Sequence, residues 1–162
     1  FEFLTGGPVG VRAVGGSGDV VRLVTSAGAV LQLDFAEQPL QAQQVSGLSM
    51  PECSVLTRLA TGWAFGVRGR EGVETAVEVV GNDGSRRRFP IPLAGGEVKA
   101  FAPSPNGVFA AVRGIAEVPM MTGGDVRMLP TRVTNELEAL IVWRGRLIAG
   151  GEFGTIIQGP VR

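Results

Sequence analysis

The sequence predicts an all-β fold built from about four repeating units of antiparallel strands. Three observations carry that reading. Apolar runs have strand length, and nowhere do they keep the i, i+3, i+4, i+7 spacing of an amphipathic helix. The 25 glycines and 10 prolines are spread between those runs as turn punctuation instead of forming one tract. Residues 137 to 157 are echoed more weakly up the chain at a period of about 40 residues, which suggests the stacked four-stranded blades of a β-propeller.

The chain is expected to be one propeller domain or propeller fragment over residues 1–162, with approximate units at 1–50, 51–93, 94–130 and 131–162. In the first unit, Val9 to Val14, Val20 to Thr25 and Ala29 to Phe35 are expected strands. Ala29, Leu31, Leu33 and Phe35 alternate with Val30, Gln32 and Asp34, giving one apolar and one mostly polar face. The Gln-rich stretch from Ala36 to Ser54 keeps neither period and reads as a connection with room for one outer strand. The second unit offers Val55 to Leu59, Gly62 to Arg68, Glu74 to Val80 and Arg86 to Ile91, with Asn82-Asp83-Gly84 favouring the positive φ angles of a tight hairpin. The third offers Val98 to Ala102, Gly107 to Arg113, Ala116 to Met120 and Val126 to Leu129. In the fourth, Leu137 to Trp143, Leu147 to Ala149 and Gly154 to Gln158 lack an outer strand, and a helix near Thr134 to Leu140 competes with the first of them.

Gly-Gly pairs recur at Gly15-Gly16, Gly95-Gly96, Gly123-Gly124 and Gly150-Gly151, and Arg12 to Val21 parallels Leu147 to Ile157 with one residue inserted. On the segment Gly145-Arg146-Leu147-Ile148-Ala149-Gly150-Gly151-Glu152-Phe153, residues 137 to 157 resemble a blade of the kelch-like and related propeller superfamilies, in which a short strand ends in a Gly-Gly pair. Ala13 to Val21 more loosely resembles propellers of the photosystem-assembly-factor type. The chain contains no Tyr, a usual kelch residue, and Trp63 and Trp143 do not occupy one repeat position, so the resemblance implies architecture and no functional residue. Four units allow a closed ring, an arc completed by another polypeptide, or part of a larger ring. The opening at Phe1-Glu2-Phe3-Leu4 and the close at Gly159-Pro160-Val161-Arg162 favour an incomplete ring.

Composition excludes much chemistry. With no His, the common Ser-His-Asp and Cys-His devices and imidazole metal sites are absent, and with no Tyr so is a Tyr nucleophile. The lone Cys53 makes neither an intrachain disulfide nor a zinc site and reads as a buried thiol. Fifteen basic residues, all Arg except Lys99, balance fifteen acidic ones, which disfavours nucleic acid as the main partner. No apolar run approaches the ~18 residues of a membrane helix, although peripheral association is compatible with the sequence.

The remaining candidates each have a structural explanation. Two carboxylates suffice for glycosidase work, and the candidates are Asp19, Asp34, Asp83, Asp125 and the eleven Glu residues, but Asp19, Asp83 and Asp125 sit in turns and Glu74 and Glu78 on one solvated strand face. Gly15-Gly16-Ser17-Gly18 lacks the following helix and Lys of a phosphate loop. Arg86-Arg87-Arg88 alternates along a strand, protecting an edge by charge, pairing with Glu74 and Glu78, or meeting an acidic partner. Pro119-Met120-Met121 reads as core, with adaptable binding as the alternative, and Gln38 to Gln44 as a loop reaching towards a partner. The functional expectation is a non-catalytic propeller scaffold or accessory subunit contacting other protein subunits, with no catalytic residue, cofactor or metal. Its alternatives are a carboxylate-based glycan hydrolase or lyase and a carbohydrate-binding propeller.

Overall fold

Strand rhythm and glycine-marked turns fold the chain into four antiparallel sheets in sequence order. The computed structural model describes residues 10–93, 96–120, 124–133 and 135–161. Expectations that fall on Phe1 to Leu4, Val9, Gly95, Met121, Gly123, Thr134 and Arg162 lie outside the described residues. Sheet 1 holds β1 (Val11–Ser17), β2 (Val20–Thr25), β3 (Ala29–Asp34) and β4 (Ala42–Ser49). Sheet 2 holds β5 (Cys53–Leu59), β6 (Gly62–Val67), β7 (Ala76–Gly81) and β8 (Arg86–Pro90). Sheet 3 holds β9 (Ala100–Ser104), β10 (Gly107–Val112), β11 (Gly114–Pro119) and β12 (Arg127–Met128). Sheet 4 has three strands, β13 (Leu137–Trp143), β14 (Arg146–Gly151) and β15 (Ile156–Pro160), with a 3-10 turn at Glu152–Gly154 between the last two.

Each sheet is a meander in which neighbours in sequence are neighbours in space, and the first strands β1, β5, β9 and β13 pack against one another in succession. Each of the three junctions encloses its own apolar cluster. Between sheets 1 and 2, Ala13, Val24 and Val30 meet Leu56, Trp63 and Phe65. Ala64 and Val77 meet Val108, Ala110 and Val118 between sheets 2 and 3, and Phe109, Ala111 and Ile115 meet Leu137, Leu147 and Ala149 between sheets 3 and 4. The two faces of β6 divide the work: Trp63 and Phe65 point to sheet 1, while Gly62, Ala64 and Gly66 keep the opposite face small enough for sheet 3. This is a partial β-propeller, an arc of blades. It does not close on itself as a four-bladed ring, because Ile141 (56 %), Trp143 (53 %) and Ile156 (77 %) on the far face of sheet 4 are open to solvent.

One expectation is filled in and another needs correction. The room for one outer strand between Ala36 and Ser54 is taken by β4, in which Gln43 and Gln44 pair with Gln32 and Leu31. An edge strand needs no apolar alternation on its solvent side, so its composition leaves its bounds unmarked. The Gly-Gly parallel is one strand out of step. Gly15-Gly16 lies on the innermost strand β1, whereas Gly150-Gly151 ends the second strand β14. The competing helix is not formed from Leu137 onward, since β13 begins there.

The two glycines differ in what they permit. A Cβ on Gly15 would stand 2.3 Å from the Leu56 carbonyl oxygen of the next sheet, whereas one on Gly150 would meet nothing within 4 Å. Gly15→Ala is therefore expected to lower stability in urea unfolding by about 1–3 kcal/mol through forced separation of β1 and β5. Gly150→Ala should stay within about 0.5 kcal/mol; equal losses at both positions would contradict the assigned packing.

Candidate functional site

Most residues singled out by sequence turn out to shape the fold. Asp83 accepts from the Ser85 amide (2.9 Å) and hydroxyl (2.6 Å), bonds that hold its carboxyl below the usual range, and Asp34 accepts from the Ala36 amide (3.0 Å). Asp19 is exposed in the turn between β1 and β2, where its carbonyl accepts from the Phe35 amide, and Asp125 is exposed after Gly124. Gly15-Gly16-Ser17-Gly18 is the end of a strand and a hairpin turn. Glu74 precedes β7, so of the two only Glu78 lies on that strand. Arg86 to Arg88 form the edge strand β8: Arg86 Nε donates to Glu78 (2.8 Å), and Arg88 donates to the Glu74 carbonyl (3.2 Å). Met120 packs against the cluster between sheets 2 and 3. Burial pushes the Cys53 thiol up to about 12, with weaker opposing contributions from the Val55 backbone and from nearby Arg12, so it is a poor nucleophile.

Two clusters were not foreseen. Trp63, buried between sheets 1 and 2, carries the Arg22 guanidinium 4.7 Å and the Arg58 guanidinium 5.2 Å from its ring centroid. Burial, and then the neighbouring Arg58 charge, lower the Arg22 pKa, and Gln32 accepts its Nε–H at 3.0 Å. The second cluster is a chain of ion pairs across the blade junctions. Arg68, after β6, pairs with Glu97, before β9; Arg113, after β10, pairs with Glu136, before β13, at 3.8 Å. Lys99 reaches Glu97 (2.6 Å), Glu136 (3.8 Å) and Glu138 (3.7 Å), and carboxylate oxygens of Glu136, Glu138 and Glu152 lie within 4.8 Å of one another.

The pairs repeat with the blades. Leu59 and Gly62 close the first hairpin of sheet 2, as Ser104 and Gly107 do in sheet 3 and Trp143 and Arg146 in sheet 4. Counted from those closing pairs, Arg68, Arg113 and Glu152 hold one position, and Glu97 and Glu136 another. The register shifts at Ser54 in β5 and Glu138 in β13, and Lys99 stands at the same count before β9. A bulge re-aims its extra side chain, which brings these residues to the junctions. The signal was present in the sequence as charges at fixed offsets from hairpin turns, readable only after the turns are aligned.

Two further features of the surface are an apolar face and a groove. On the far face of sheet 4, Ile141 pairs across to Ile148, and Ala139 through Gly150 to Ile156, beside exposed Trp143, whose ring lies 4.5 Å from the Arg144 guanidinium. Phe153 is 91 % exposed and holds φ 55° in the left-handed region, a strained setting for an aromatic residue. A groove of about 460 Å³ between sheets 3 and 4 is lined by Phe109, Leu129, Leu147 and Ile157 with Arg127 and no carboxylate. Among the described residues no helix is long and apolar enough to cross a membrane.

No family of known proteins matches the sequence, and neither does any curated protein. Solved structures do match in fold. The computationally designed Ika4 protein superposes with a TM-score of 0.67 at 17 % identity over 100 % of this chain and 99 % of its own. The designed Ika8 protein gives 0.65 at 18 % identity over 94 % of this chain but only 46 % of its own. The β-propeller domain of Cps50 (Swd1) from Myceliophteria thermophila gives 0.59 at 17 % identity over 91 % of this chain and 50 % of its own. These likenesses establish the propeller fold and support no particular repeat family within it.

Burial pushes the Glu97 carboxyl up, but hydrogen bonds and charge from Lys99 and Arg68 outweigh it and hold the group below its ordinary 4.5; the bond to Glu97 raises Lys99 above 10.5. A lowered acid stabilises above its unfolded pKa, and that contribution disappears as pH falls through the folded value. The raised Lys99 contributes below 10.5 and loses its share as pH climbs through its folded value. Glu97→Gln should therefore cost about 1 kcal/mol between these limits. In urea unfolding across a pH series, the gap to the parent should shrink on acidification below 4.5; a gap that widens there would contradict the assignment.

Proposed function

We propose that the chain is a non-catalytic propeller scaffold, or an accessory subunit, that mediates protein–protein contacts in a larger assembly. The observation that carries this reading is the far face of sheet 4, where Ile141, Ile148 and Ile156 sit beside Trp143 with nothing packed on them among the described residues. A sheet face this apolar is costly to leave in water and marks an interaction surface. Kinship with the kelch-like superfamily belongs to this proposal and rests on the Gly-Gly pair that ends β14.

The second reading, a carboxylate-based hydrolase, is favoured by one observation, the approach of Glu136, Glu138 and Glu152 to within 4.8 Å. Against it, Lys99 and Arg113 already engage two of the three, and the sheet 3–4 groove contains no acid. The test is the native mass of the particle isolated gently from its source. The scaffold reading expects a particle heavier than one copy of the protein, returned to single-copy mass by Trp143→Glu. A lone protein that turns over a glycan and loses turnover in Glu136→Gln would overturn it in favour of the hydrolase.

A further inference from the structure

We propose that the two open ends of the arc are each other's partners: the far face of sheet 4 docks on the outward face of sheet 1 of a second copy, and two copies close one eight-bladed ring. This deepens the scaffold reading by naming the occupant of its surface, and it rests on that reading only for the sheet 4 face.

Within the chain, one stacking operation is used three times, the forward face of each sheet covering the backward face of the next. The residues of sheet 4 that would continue it stand where sheet 2 already does so. Val55, Leu59 and Ala64 pack towards sheet 3, and counted from the closing pairs their counterparts are Ala139, Trp143 and Ile148. The matching surface is the outward face of sheet 1. Ala13 and Gly15 point to sheet 2, so Val14 points away and continues across the strands through Leu23 and Leu31, with Val14 58 % and Phe35 49 % exposed. A forward face and a backward face thus remain, both apolar, at opposite ends of one chain.

Charge at the rim fits the same junction with its signs exchanged. At the junction of sheets 3 and 4, the leading sheet supplies cations, Lys99 and Arg113, and the following sheet supplies acids, Glu136 and Glu138. At the end of the arc the leading positions are Glu138, where Lys99 stands in sheet 3, and Glu152, where Arg113 stands. Ser17 and Val20 close the first hairpin of sheet 1, so the following position held by Glu138 in sheet 4 is occupied there by exposed Arg12, and that of Glu136 by Gly10. Sheet 1 thus offers a cation, Arg12, whose guanidinium also donates to the Pro51 and Ser26 carbonyls of its own copy, and no acid at these two positions.

A head-to-tail contact makes a ring where the rotation closes and a filament where it does not. The arc superposes on 99 % of the designed Ika4 chain but on only 46 % of the designed Ika8 chain and 50 % of the Cps50 propeller domain, so the two larger propellers have about twice its length, the size that one further copy would give.

The experiment is sedimentation of the purified chain from about 1 µM to about 100 µM, a range that brackets micromolar affinity. The expected result is a concentration-dependent rise from 16.9 kDa to twice that mass and no further. Trp143→Glu, folded by circular dichroism, should remain a monomer. Arg12→Glu and Glu138→Arg, which exchange the two charges that stand where Glu138 and Lys99 pair between sheets 4 and 3, should each weaken association about tenfold. Mixing those two variants in equal amounts should restore it, because each junction then pairs opposite charges, a rescue that a purely structural role for Arg12 cannot give. A parent chain that stays monomeric throughout, masses that extend past two copies, or a mixture as weak as its components would overturn the proposal. A monomer that still joins a different polypeptide in its native particle would leave the scaffold reading intact.

Discussion

The structure depends on one constraint: a β-sheet with two apolar faces must be covered on both sides. In the central blades the constraint is met by neighbours. Trp63 and Phe65 fill one side of β6 while Gly62, Ala64 and Gly66 leave the other side flat enough for sheet 3 to approach. Truncating either large side chain would remove a buried aromatic group typically worth about 3–5 kcal/mol. No single blade has an interior of its own; the interior exists only between blades, as in other repeat architectures. The end blades inherit the same two-faced strand chemistry and have one neighbour each.

Electrostatics follow the same periodicity. Arg68 with Glu97 and Arg113 with Glu136 occupy equivalent positions at successive junctions, so the rim repeats as the core does. These partly exposed pairs contribute little to stability individually. Their value is in registration, since the acids placed before β9 and β13 find their cations only when the blades stack in order. The crowding of Glu136, Glu138 and Glu152 where Lys99 and Arg113 are the cations at hand reads naturally as a junction lacking its next blade. Exposed Phe153, beside Glu152 and held at positive φ, lies at the same rim.

Much of the fold was legible because hairpins announce themselves locally. Val20 to Thr25 and Leu137 to Trp143 were read with the observed boundaries, and Asn82-Asp83-Gly84 lies in the turn between β7 and β8. The bounds of outer strand β4 were hidden by its glutamines, because an edge strand facing water has no alternation to display. The site was less legible than the fold. Lys99, Glu136 and Glu138 come together only through the stacking of sheets 3 and 4, and their sequence offsets mean nothing until the closing pairs are known. Trp63 and Trp143 look alike in sequence, yet one is 1 % and the other 53 % exposed, because β6 has a blade on either side and β13 only on one.

That difference offers the most direct measurement of the central account, that the end of the arc is an interface waiting for a blade. Acrylamide quenching of the two tryptophans, resolved by replacing Trp63 with Phe, follows Trp143 alone. The account predicts a red, readily quenched Trp143 in dilute solution that becomes blue-shifted and protected as the chain is concentrated. A Trp143 already protected in the dilute monomer, or one that stays fully quenchable in the assembled particle, would contradict it.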